Sequence, residues 1–191
     1  MTLTARIIIH LALFASFTVN HAQISPSNTR KNKQSLESVA SKHKQIYDMS
    51  CIPMSVEMLL KYNDCVAPTY YRLQDSWKNK VDGTFENFDG RIVACLKFKH
   101  QFNVQRGNDF PFKQLFKTID TELSAGRKVI VSLPSGLNLW HMYVIDKKMA
   151  QGDYVAFSRY YNDNKVIRKD DVKKSIYNCE GTDILTYTIA D

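Results

Sequence analysis

The sequence predicts an α+β domain in which N-terminal helices pack on a C-terminal antiparallel β-sheet. Two observations predict it. In the first half, Ile52, Val56, Leu59 and Leu60 follow the i, i+4, i+7, i+8 spacing of a helix face. In the second half, short apolar runs at 128–133, 140–145 and 153–158 are separated by turns or brief polar stretches, and another follows at 184–189. Connections that short join antiparallel strands, because a parallel crossover needs a dozen residues or more.

Size and composition agree with one folded domain. The chain has 191 residues, 44% hydrophobic and 24% charged, enough to bury a core. The formal net charge of +7 is spread among acidic residues rather than gathered in a block. A soluble basic surface is the reading, and no nucleic-acid recognition motif accompanies it.

Residues 1–22 differ from the rest. Arg6 is their only charge, and residues 7–19 are apolar apart from a few positions such as His10. That run is shorter than the ~20 residues of a membrane span, so it reads as a secretory signal peptide with Ala22 as the last residue before cleavage. A retained anchor is the alternative. No later apolar run is long enough for a membrane span. The expected destination is therefore secreted or periplasmic. Residues 23–43 form a polar, basic lead-in, with at most a short helix over 36–42, expected outside the core. The domain proper is expected over 44–191.

Along that domain, the helix containing Pro53 should end near Tyr62-Asn63-Asp64, where turn formers interrupt the apolar pattern. A short helix is expected around 70–78. Residues 92–98 and the segment near Phe102-Asn103-Val104 read as a helix end and a strand. Phe112, Leu115, Phe116, Ile119 and Leu123 have helical spacing, closed by Gly126. Strands follow at 128–133, 140–145 and 153–158, then a short extended piece at 166–167, a helical turn over 170–176, and a last strand at 184–189.

The candidate chemistry begins with Cys51, placed where a helix starts. Pro53 fits there, since first-turn amides have no intrahelical partner. The positive end of a helix favours an anion, and a thiolate is one. His141 opens a strand after an aromatic residue and is the candidate base that takes the thiol proton and returns it to a leaving group. His43 and His100 lie in charged, polar surroundings. Of the four cysteines, a reactive Cys51 leaves Cys65, Cys95 and Cys179; either Cys65–Cys95 or Cys95–Cys179 is then the natural pair. No spacing of ligand residues points to a metal, and no glycine-rich loop to a nucleotide, so no cofactor is expected.

Gln45, five intervening residues, Cys51, Pro53 and Ser55, then a helix, resemble the papain-like cysteine peptidases related to the double-glycine, bacteriocin-leader-processing domains. The run 126–133 and His141-Met142-Tyr143-Val144-Ile145 resemble that family's buried strand and its His-x-Val-Val strand, and residues 152–157 resemble the strand that follows. The resemblance implies a papain-like fold and an oxyanion hole formed by the Gln45 amide with the Cys51 backbone N–H. Three features depart from the pattern. Ile52 and Met54 replace small residues near the thiol. Ser158-Arg159 stands where the family has Asp-Pro, so the group orienting His141 would be Ser158, or Asn162 if the following loop folds back. The third departure is the spare cysteine.

The expectation is an exported cysteine peptidase acting on a peptide or protein substrate. In it Cys51 is the nucleophile, His141 the base and then acid, Gln45 the oxyanion donor, and Ser158 or Asn162 the orienting group. The alternative is a catalytically degenerate relative used as a secreted binding or assembly module. A weaker third possibility is a disulfide-stabilised secreted protein unrelated to peptidases.

Overall fold

The computed structural model describes residues 34–80, 83–136 and 139–190; the expected signal peptide lies outside them. Five α-helices occur among these residues: α1 (Leu36–Lys42), α2 (Cys51–Tyr62), α3 (Arg72–Asp75), α4 (Phe112–Ser124) and α5 (Val172–Asn178). A 3-10 turn spans Phe85–Phe88. The strands are β1 (Ile92–Val93), β2 (Leu96–Gln101), β3 (Val129–Gly136), β4 (Leu139–Lys148), β5 (Tyr154–Ser158), β6 (Ile167–Lys169) and β7 (Ile184–Ile189). They form one sheet in the order β1-β2-β7-β3-β4-β5-β6, every neighbouring pair antiparallel. The α+β class and the meander from β3 to β6 are as expected.

Helices cover both faces of this sheet. Alternate residues of a strand point to opposite faces, and the buried residues divide accordingly. Met142, Val144, Val155 and Phe157 pack with Val56, Leu59 and Leu60 of α2 and with Leu36 and Val39 of α1. Tyr143, Ile145 and Ala156 pack with Leu115 and Ile119 of α4 and with Val172 and Ile176 of α5. An apolar run such as Tyr143-Val144-Ile145 has no polar face to give to water, so the sheet needs a cover on each side.

Two local expectations are also corrected. Residues 92–98 form the β1–β2 hairpin, not a helix end, and Phe102-Asn103-Val104 is not a strand. The turn between the two strands places Ala94 at φ 51, and the Cys65–Cys95 disulfide ties the hairpin to the chain just beyond α2. Cys51 and Cys179 are free.

The lead-in helix, expected outside the core, is part of it. Leu36, Val39 and Ala40 of α1 are buried, and each large aliphatic side chain so buried stabilises by about 1.5–3 kcal/mol. Ser35 caps α1, its hydroxyl accepting the Ser38 amide at 3.1 Å. At the other end the buried Arg159 guanidinium donates to the Ala40 carbonyl (3.2 Å) and the Ser41 carbonyl (3.4 Å). A cation suits the negative end of a helix. The packed unit therefore reaches back at least to Leu36.

Candidate functional site

Cys51 is the first residue of α2 and half-buried. The chain entering it, residues 44–50, is held by one side chain. Gln74 of α3 donates from Nε2 to the Lys44 carbonyl (2.9 Å) and accepts at Oε1 from the Ile46 amide (2.9 Å). The Ser50 hydroxyl lies 2.8 Å from both Gln74 Oε1 and the Tyr47 carbonyl.

Gln74 is fixed in turn by Glu57, which is fully buried in α2. Glu57 Oε2 accepts from Gln74 Nε2 at 2.7 Å, and Oε1 accepts the Leu73 amide at 2.9 Å. Lys61, one turn on, lies 2.9 Å through Nζ from His43 Nδ1, while His43 Nε2 lies 3.1 Å from the Met54 carbonyl. Burial, and secondarily the Lys61 charge, push the His43 pKa down to about 3. The ring is therefore neutral, donating from Nε2 to Met54 and accepting at Nδ1 from Lys61. His43, Glu57 and Gln74 were not among the residues singled out from the sequence. Glu57 and Lys61, four apart inside an apolar helix pattern, were the signal that could have found them.

His141 sits in β4 and is 5% exposed. Its Nε2 is 2.8 Å from Ser158 Oγ, and that hydroxyl reaches the Met142 carbonyl at 2.5 Å. The serine proton goes to the carbonyl, so Ser158 accepts from His141 Nε2–H. This fixes the tautomer and leaves Nδ1 as the basic nitrogen. Tyr160 lies across the ring, centroids 4.3 Å apart, and Tyr143 meets it edge-on at 5.3 Å.

Thiol and ring approach from different faces of the sheet. Cys51 packs with the core under α2, while His141 shares strand alternation with Tyr143 and Ile145 on the other face. The Cys51 sulfur and the serine that holds the ring both meet Met142, whose backbone N–H favours the Cys51 thiolate and whose carbonyl takes the Ser158 proton. Both groups of one strand residue point to the same edge. The pairing of β4 with β5 ends at Val144–Phe157, which leaves these two Met142 groups to side chains. The site lies where the backbone ladder between these two strands ends, and it is called a notch below. Among the described residues no direct hydrogen bond joins the thiol to the ring.

Burial sets the charge state of both groups. It pushes the Cys51 thiol up, against the amides of Ile52, Cys51 and Met142. It pushes His141 down to about 4, against the Arg159 backbone carbonyl. At neutral pH the resting pair is a thiol and a neutral imidazole, not the thiolate favoured by the helix end alone. Desolvation outweighs the dipole here.

The remaining candidates are placed less centrally. Gln45 is buried, but its Nε2 donates to the Tyr47 (3.0 Å) and Asp48 (2.6 Å) carbonyls, and its Oε1 has no partner among the described residues. Its amide protons therefore hold the loop in this conformation. Asn162 is exposed, in a turn with φ 57. It lines a cleft of about 300 Å³ with Gln45 and Tyr161, so of the two orienting candidates it is Ser158 that touches His141. Asp153, just ahead of β5, is committed to the amides of Lys173 and Lys174 at the start of α5.

No family model, curated protein or solved structure matches this chain. What the notch can do chemically is therefore read from its own groups.

Proposed function

We propose that the protein is a thiol hydrolase of the papain-like kind, cleaving a peptide or related amide. The observation that carries this reading is the Ser158–His141 hydrogen bond, which aims the basic nitrogen of a buried imidazole while a free cysteine stands at the adjoining backbone. Cys51 Sγ attacks the amide carbonyl as its proton passes to His141 Nδ1. The imidazolium then gives that proton to the departing amine as the C–N bond breaks, leaving a thioester. Water, deprotonated by the same nitrogen, attacks the thioester and frees Cys51 and the acid. Ser158, polarised by the Met142 carbonyl, supports the charged ring less than a carboxylate would. The Cys51 N–H is the first donor for the oxyanion, and the Gln45 amide joins it only if one of its two loop bonds opens. Because the resting pair is neutral, proton transfer accompanies attack.

The test is the rate at which iodoacetamide labels Cys51 in a Cys179→Ser protein, followed by mass spectrometry from pH 5 to 10. Coupling predicts that His141→Ala lowers the rate near neutral pH by at least ~10-fold, within the ~100- to 10,000-fold range of general-base effects on natural reactions. Equal rates with and without the imidazole sink the hydrolase.

A second reading is favoured by specific features: the spent Gln45 amide, the upward-shifted thiol and the missing carboxylate. In it the same fold serves as an exported binding or assembly module with a vestigial site. The Cys65–Cys95 disulfide is compatible with an oxidising compartment under either reading.

A further inference from the structure

The face of the sheet opposite α2 carries a groove of about 840 Å³ that runs along α4 and is closed on one side by α5. Phe112, Lys113, Phe116, Lys117, Asp120, Thr121 and Ser124 line it from α4, and Lys173 and Tyr177 from α5. The α4 positions fall at i, i+1, i+4, i+5, i+8, i+9 and i+12, so they form one stripe about 18 Å long at the ordinary helical rise.

The two ends of the stripe differ. At one end the rings are clustered: Phe112 and Tyr177 have centroids 4.8 Å apart, Phe116 and Tyr177 5.1 Å. Tyr177 is nonetheless 48% exposed. Around these rings stand Lys113, Lys117 and Lys173. Among the described residues none of the three pairs with a carboxylate; Lys173 lies over the Phe116 ring at 5.0 Å. Lys113 and Lys117 are a like-charge pair at i, i+4, which costs a helix a few tenths of a kcal/mol. At the other end Asp120 is held by Lys148 (2.7 Å) and the Tyr154 hydroxyl (2.9 Å).

Exposed aromatic surface and uncompensated lysines are each unfavourable for the isolated chain. Together they describe a complement: an apolar anchor flanked by carboxylates. We propose that this groove binds an acidic amphipathic polypeptide segment, its aromatic or aliphatic side chain on Phe112 and Tyr177 and its carboxylates against Lys113, Lys117 and Lys173.

Charge removes the nearer occupants. The chain's own lead-in carries Arg30, Lys31 and Lys33, and a second copy carries the same net +7. The groove's form disfavours other anionic partners. A lipid surface is met by rings that project, whereas these pack into one another. A nucleic-acid strand stacks its bases along the whole length of a groove, whereas here the rings stop half-way and a carboxylate follows. An elongated furrow between two helices suits a linear segment, the helix-in-groove mode.

Fluorescence anisotropy with labelled twelve-residue peptides tests this. One probe carries four Glu on one helical face and Phe and Leu on the other; its counterpart has Gln for Glu. The Glu probe is expected to bind at least ~10-fold tighter than the Gln probe, with affinity falling as salt rises. The Lys113→Glu/Lys117→Glu protein should lose at least ~10-fold for the Glu probe, and Tyr177→Ala should weaken both probes. Circular dichroism checks that the variants fold; should the charge reversal disturb α4, Lys113→Gln/Lys117→Gln must show the same loss in smaller degree. The proposal is overturned by equal binding of the two probes, by no binding of either, by affinity indifferent to the lysine changes, or by tighter binding of a twelve-nucleotide oligothymidylate or of phosphatidylserine vesicles.

Discussion

His43 and His141 are both buried, both neutral, and both held by hydrogen bonds on one side. They differ in what the second ring nitrogen meets. At His43 that nitrogen is taken by the Lys61 ammonium at 2.9 Å, so each nitrogen is engaged and the ring has no proton to exchange. At His141 one nitrogen is fixed by Ser158, and beyond that side chain only the Arg159 backbone carbonyl supports the ring. A buried imidazole with both nitrogens committed is a structural cross-piece. One held by a single side chain keeps capacity for a proton, which is the role proposed for His141 with Cys51. Burial alone tells nothing of function; the hydrogen-bond inventory does.

The largest effect should come from the His43 side. Glu57→Ala leaves Lys61 and the amides of residues 73 and 74 without their carboxylate. Loss of one member of a buried charged set costs about 3–5 kcal/mol, so the denaturant midpoint should fall accordingly. The loop 44–50 should loosen with it, read as faster amide exchange at Ile46, whose N–H is bonded to Gln74. A loss under ~1 kcal/mol, of the size seen for exposed pairs, would show that the network is decoration rather than the support of the site's entrance.

The next effect belongs to His141. His141→Ala should cost the labelling of Cys51 by iodoacetamide at least ~10-fold near pH 7, while His43→Ala, if the protein remains folded, should change the rate by less than ~3-fold. A reversed order would mean that the wrong histidine has been assigned to the thiol. The same experiment reads the charge state. Because burial raises the Cys51 thiol, labelling of the parent protein should still be climbing above the ordinary thiol value of ~8.5. A plateau beginning near pH 5 would instead reveal an ion pair.

How much of this was legible in the sequence follows the range of the interactions. Cys51 at a helix start and His141 at a strand start are local signals, and both elements form where the periodicity puts them. Ser158 could be set beside Asn162 only as one of two candidates, because the choice depends on where a turn after β5 goes. The turn holds Asn162 in an exposed left-handed conformation. The second helical layer was implicit in runs such as 143–145 and 154–157, which are apolar without alternation, but their length alone does not tell a strand covered on both faces from other buried segments. Placing α1 in the core required knowing that Arg159, remote in sequence, reaches its last carbonyls. The shifted charge states were least legible of all. A helix start argues for a thiolate, and only the folded surroundings show that desolvation wins.

Acid should expose what the two histidines share. For each, the folded pKa lies below the ordinary 6.5, at about 3 for His43 and about 4 for His141. Over that interval the unfolded chain binds more protons than the folded one, so stability rises with pH there. The stability they contribute is complete above about pH 6.5 and is lost as pH falls toward the folded values. Urea midpoints from pH 7 to 4 should decline, and His43→Gln, which keeps a neutral polar group at that site, should flatten the decline. An unchanged slope would assign acid sensitivity to other groups.

The smallest effect tests Ser158. Ser158→Ala keeps the shape of the notch but removes the acceptor for His141 Nε2–H and the donor to the Met142 carbonyl. Stability should fall by about 1 kcal/mol, the usual net worth of a buried hydrogen bond, since the lost partner strands a ring N–H that Tyr160 shields. On the proposed mechanism, reactivity of Cys51 at neutral pH should drop a few-fold, less than for His141→Ala, because an unheld ring would still meet the thiol part of the time. Ser158→Asp makes the contrast sharp. A carboxylate there pairs with the imidazolium and raises the His141 pKa, so the pH at which labelling begins to climb should move down and the rate at neutral pH should exceed that of the parent. If Asp at 158 leaves both the profile and the rate untouched, Ser158 holds β4 to β5 and has no part in the chemistry of the thiol.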